Sequence, residues 1–175
     1  MNLTIDSWIG IGGIVLGVLF SIAIGVYQKK DRKPYCAVRN FVIIGNAKIT
    51  VEGLKIHFAG YGSDIDNLSI ARLAFWNAGK EPIRNTDITT SDPLTIAPLG
   101  NAKMLGVSVL QCNNVASKVA VAVRREKGKS HIANALLTFE YLGRDNGTVI
   151  EIIHTGLKSS DIVFTGTIIG ADKIG

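Results

Sequence analysis

Cysteine is scarce in this chain: Cys36 and Cys112 are the only two, and they lie far apart. Their spacing matches no metal motif, and in a reducing compartment both are expected as free, buried thiols. Histidine is nearly as rare. His57, His131 and His154 fall on separate segments with no His-x-x-x-His pair, so a zinc centre would need several distant groups to converge. There is no Gly-x-Ser-x-Gly elbow, phosphate-binding loop or dinucleotide fingerprint. Asp64, Asp66, Asp87 and Asp92 are not spaced like a calcium loop and are expected to serve turns and caps. These absences leave no expected cofactor, metal site or catalysed reaction.

Charge of one sign is not in large excess either. The net charge is +5, and beyond residue 33 there are 15 basic against 12 acidic side chains, or +3. That balance does not argue for nucleic acid. Internal repeats and low-complexity segments are missing, and no stretch after residue 34 keeps a helical period over three turns.

What is present begins with residues 8–27, a run of 20 residues from Trp8 to Tyr27 without a charge. As a helix it would span roughly 30 Å, one hydrocarbon core. Trp8 and Tyr27 bracket it, as interfacial aromatics do. Residues 1–7 contain no Lys or Arg, and no small-residue cleavage site follows the run, which argues against a cleaved signal peptide. Lys29, Lys30, Arg32 and Lys33 in the linker 28–34 mark the cytoplasmic side and are candidates for lipid head-group contact. The expected placement is a bacterial inner membrane, crossed once, with the N-terminus outside and residues 35–175 in the cytoplasm. Gly13, Gly17, Ser21 and Gly25 form a stripe of small residues every fourth position, a pattern that lets membrane helices pack closely into a homo-oligomer.

From Pro34 onward Val, Ile, Thr and aromatics alternate with polar residues between frequent turn signals, which predicts an all-β domain. The leading expectation is an immunoglobulin-like antiparallel β-sandwich, with a small β-barrel as the alternative. Asp145-Asn146-Gly147 predicts a tight hairpin, and Lys127-Gly128-Lys129 a second connection. Residues 132–142 read as one long strand with Leu137, Phe139 and Tyr141 on one face. Arg124, Arg125, Lys127 and Lys129 form the one dense basic run of the domain and are candidates for anion contact. Arg39, Arg72 and Arg84 could join an anion site only through folding. In Phe75-Trp76 one ring is expected in the core and the other on a second layer or an interaction surface.

The stretch 75–83, with Asp92-Pro93-Leu94 and Ile153-His154-Thr155-Gly156, resembles a widespread set of bacterial proteins built from an anchor helix and a β domain. The resemblance implies that architecture and no activity. Two roles follow. The first is a membrane-anchored module that recruits a protein partner. The second is a ligand-sensing membrane effector whose β domain binds a small anionic signal, similar in architecture to effectors of bacterial antiphage signalling systems. A concave basic pocket would favour the effector, and a flat apolar patch would favour recruitment. A third reading, an enzyme, would need a cleft uniting groups that the sequence keeps apart.

Overall fold

Alternation along the strands fixes which side chains face inward. In the segment 68–77, Ser69, Ala71, Leu73, Phe75 and Asn77 are buried while their neighbours are half-buried or exposed. In 147–154 the buried set is Thr148, Ile150, Ile152 and His154. A period of two with β-branched residues on one face is what a half-buried strand requires. The structure, a computed structural model, describes residues 17–22, 24–25, 31–45, 56–58, 61, 64–171 and 173–175.

Twelve strands are described: β1 (Pro34–Ile44), β2 (Ile56–His57), β3 (Asp64–Ile65), β4 (Leu68–Asn77), β5 (Ile83–Arg84), β6 (Thr95–Pro98), β7 (Met104–Cys112), β8 (Ala120–Arg125), β9 (Ile132–Thr138), β10 (Tyr141–Leu142), β11 (Gly147–His154) and β12 (Ile162–Thr165). Eight belong to one antiparallel sheet in the order β1-β4-β11-β7-β9-β6-β12, with β8 added on β9. The chain after β12 returns to the start of β1. Arg32 and Ala171 form a parallel bridge, the Cys36 N–H donates to the Gly175 carbonyl at 2.8 Å, and the Gly175 N–H donates to Pro34 at 3.1 Å. The domain is all-β, as expected, and its main sheet curls into a nearly closed, barrel-like form. It is one continuous sheet, so the two separate facing sheets of an immunoglobulin-like sandwich are not what the strand pairing produces.

The core lies inside this curl. Phe75 meets Phe164 edge-on at 5.1 Å and Phe139 at 6.3 Å, among Leu73, Ile83, Leu94, Ile96, Leu137 and Ile150. Each such side chain stabilises the fold by about 1.5–3 kcal/mol on burial. A smaller cluster of Tyr61, Ile65 and Leu105, with Leu68 and Ile153 against it, is separate.

Two turns behave differently. Lys127-Gly128-Lys129 joins the paired strands β8 and β9, with Gly128 at φ +80° and the Lys129 N–H on the Glu126 carbonyl at 3.0 Å. Asp145-Asn146-Gly147 does not close a hairpin, because β10 pairs with β5 while β11 pairs with β4 and β7. There the positive φ, +59°, falls on Asp145. Gly147 is needed for a different reason: a Cβ on it would sit 2.5 Å from the Trp76 Cβ and 2.6 Å from the Phe75 carbonyl oxygen. The long strand expected over 132–142 is also split. The Glu140 N–H bonds to the Ser117 carbonyl at 2.8 Å, which bends the chain between β9 and β10.

The chain divides into two units, Met1–Lys30 and Asp31–Gly175. In the first, residues 17–22 and 24–25 are helical, and the Ser21 hydroxyl donates to the Gly17 carbonyl at 2.8 Å. Among the described residues no helix is long and apolar enough to cross a membrane. Most of the run Trp8–Tyr27 lies outside the described residues, as do Gly13, Lys29 and Lys30.

Candidate functional site

The register of β1, β4 and β11 builds an outer face in rows. Tyr35, Trp76 and Gly147 form one row, followed by Ala37, Ala74 and Val149. Next come Arg39, Arg72 and Glu151, then Phe41, Ile70 and Ile153. These positions alternate with the core positions, so the same periodicity that buries Phe75 turns Trp76 outward. The Tyr35 and Trp76 rings stack, with centroids 5.7 Å apart and planes 17° from parallel. Tyr35 is 42% exposed and Phe41 37% exposed. The small residues Ala74 and Gly147 leave a hollow of about 190 Å³, with Trp76 on its wall beside Gln111 and Asn113.

Two rows further along, Arg39 and Arg72 are direct cross-strand partners. Their guanidinium carbons lie 5.2 and 5.6 Å from the centre of the Phe41 ring. Each such contact is worth roughly 0.5–1 kcal/mol at an exposed site. Glu151 Oε2 is 3.5 Å from Arg72 Nε. Folding thus joins two of the three scattered arginines, while Arg84 lies on β5 with its N–H on the Asp87 carboxylate at 2.7 Å. Alternation alone places Arg39 and Arg72 on outer faces; only the pairing of β1 with β4 makes them neighbours.

A larger cleft of about 500 Å³ lies between the segments 64–67, 99–103 and 155–161. Its charged lining is mixed: Asp64, Asp66 and Asp161 against Lys103 and Lys158. The Lys103 ammonium sits 5.4 Å from the centre of the Tyr61 ring. Asp161 already accepts the Leu157 and Lys158 N–H groups at 2.7 and 2.9 Å. A cleft with more carboxylates than ammonium groups is not the concave basic pocket that an anionic signal would call for.

His154 closes the inner end of β11 as a polar corner. It is fully buried. Its Nδ1 accepts the Gly156 N–H at 3.1 Å, so the proton sits on Nε2 and is donated to Asn40 Oδ1 at 2.8 Å. Asn40 Nδ2 donates in turn to the Leu157 carbonyl at 2.9 Å. Burial holds the imidazole below its ordinary range, partly opposed by nearby Asp161. Ser69, its cross-strand partner, is buried with a hydroxyl that lacks a hydrogen-bond partner. Both nitrogens of His154 are engaged, so it is not placed to act as a base toward Ser69.

The other expected residues are placed as follows. Arg125 donates to the Ser130 carbonyl at 2.5 Å and Lys129 pairs with Glu126, so two of the four hairpin cations are held within the hairpin; Arg124 and Lys127 are exposed beside them. Arg32, expected at lipid head groups, instead reaches into the β domain. It meets Glu81 at 2.9 Å, Asp87 at 3.4 Å and the Ile169 carbonyl at 2.7 Å, and is only 17% exposed. Lys33 pairs with Asp31 at 2.9 Å, which holds the Asp31 carboxyl below its usual range. Buried Asn77 ties this entry down by donating to the Glu81 and Leu142 carbonyls and accepting the Gly79 N–H. Gly17 and Gly25 have open space where a Cβ would sit. Both cysteines are free but half-buried rather than buried as expected, and burial pushes the Cys36 thiol up to about 11. Among the described residues no three His, Cys, Asp or Glu side chains gather as a metal site. No protein-family model matches the chain, and neither does any curated protein or solved structure.

Proposed function

We propose that this protein is a membrane-anchored recruitment module whose β domain binds another protein through the outer face of β1, β4 and β11. The observation that carries the reading is the stack of exposed Tyr35 on half-buried Trp76, beside the hollow over Ala74 and Gly147. Exposed, pre-ordered aromatic rings next to a depression are what interface anchors use. The anchoring part rests on the uncharged run Trp8–Tyr27 and the cations that follow it. The domain then faces the cytoplasm, and Gly13, Gly17, Ser21 and Gly25 pair copies of the chain.

The rival effector reading is less well supported, because the larger cleft is not basic and two of the hairpin cations are tied within the hairpin.

The test is site-specific photocrosslinking in cells from the full chain. A cross-linker at Ala37, on the face, captures a partner that one at Ala122, on β8, does not. Equal capture from both positions, or none from Ala37, overturns the recruitment reading.

A further inference from the structure

Arg39 and Arg72 pose a charge problem that the fold leaves half solved. They lie directly opposite each other on neighbouring strands, where like charges repel. Glu151, next in the same row, supplies one carboxylate, and it stands beside Arg72. Two cations and one anion leave the row with one positive charge in excess. Among the described residues no carboxylate pairs with Arg39. The Phe41 ring lies within cation–π distance of both guanidinium groups and leaves their donor-rich edges for hydrogen bonds.

We propose that Arg39 and Arg72 form a receptor for one carboxylate of an extended, acidic protein segment, with a nearby apolar side chain of that segment seated in the hollow beside Trp76. This rests on the recruitment reading and names the chemistry of its partner. The row excess of one charge matches a single carboxylate. A phosphate dianion would exceed it, and an anionic bilayer would press many negative groups against Glu151. The hollow's floor lies about two residues along the strands from the arginine row and the Tyr35 row four, roughly 7–13 Å. The acid and the apolar residue of an extended partner therefore stand two or four positions apart, on one face of the segment.

The experiment uses the full chain in neutral detergent with Trp8→Phe, which leaves Trp76 as the sole tryptophan. The probes are Ser- and Thr-based peptides carrying one Glu and one Leu at spacings of two and four, each with a Gln-for-Glu twin. At one spacing the Glu peptide is expected to shift Trp76 emission saturably and to bind about tenfold tighter than its twin. R39Q and R72Q each remove that preference, while their residual binding of the Gln peptide shows that they are folded. Equal affinity for both twins overturns the carboxylate receptor. So does tighter binding of a phosphoserine peptide, displacement of the Glu peptide by phosphatidylglycerol vesicles, or no saturable shift with any peptide. Capture from Ala37 does not depend on these probes, so it separates failure of the receptor from failure of the recruitment reading.

Discussion

Tyr35 and Trp76 face each other across β1 and β4 with nearly parallel rings, and Gly147 lies in the same row on the far side of Trp76. The stack is fixed by register. It contributes roughly 0.5–1.5 kcal/mol beyond its burial. Tyr35→Ala loses the stack together with the half-buried ring, and is therefore expected to lower stability by about 1.5–3 kcal/mol in urea unfolding while abolishing capture from Ala37. A variant that keeps full capture removes the ring from the interface.

Gly147→Ala is expected to cost about 1–3 kcal/mol, because its methyl would collide with the Trp76 Cβ and the Phe75 carbonyl. Trp76 emission reports the displacement directly. An unchanged urea midpoint would mean that β11 and β4 separate at little cost.

Arg32 is expected to matter for folding. Arg32→Ala leaves Glu81 and Asp87 without their common partner and frees the Ile169 carbonyl, a loss of about 2–3 kcal/mol. Arg32→Lys recovers little, since a single ammonium cannot reach three acceptors in a fork. Thermal unfolding of the full chain in detergent checks both variants; full rescue by Lys would show that charge alone suffices.

His154 makes stability depend on pH. Its folded-state pKa is lowered by burial, so below the ordinary histidine value of about 6.5 the unfolded chain takes up the proton more readily. The contribution is complete above that value and is lost as pH falls through the folded pKa. His154→Phe is expected to be less stable at pH 7.5 by about 1–3 kcal/mol, because Asn40 Oδ1 and the Gly156 N–H lose their partner. The same variant flattens the acid limb of the melting-temperature profile. An unaltered limb would assign it to other groups.

Replacing Gly17 and Ser21 by Ile is expected to reduce self-association in a membrane-helix reporter. Bulky branched side chains there would block close backbone approach. An unchanged signal would remove the small-residue stripe from the proposal.

Much of the fold was legible where period-two alternation runs uninterrupted. β4 and β11 were readable as half-buried strands because alternate positions are core and surface throughout. The hairpin at Gly128 was readable from its glycine. Alternation assigns a residue to a face and says nothing of which strand lies beside it. That gap left a barrel as the alternative to two facing sheets, and it hid the break between β9 and β10 and the meeting of Arg39 with Arg72. Asp145-Asn146-Gly147 carried the composition of a hairpin, yet its glycine answers to the proximity of Trp76, a demand made by tertiary structure. Arg32 read as one of four candidates for lipid head-group contact because sequence proximity to the apolar run outweighed partners 49 and 137 residues away.

The contact of Gly175 with Pro34 and Cys36 brings the segment after β12 beside the start of β1. The domain is therefore suited to circular permutation. A short flexible bridge between those two points, with new termini opened at Gly128, would preserve every strand pairing except the β8–β9 turn. It would also move the attachment point of any fused segment to the tip of the β8–β9 hairpin.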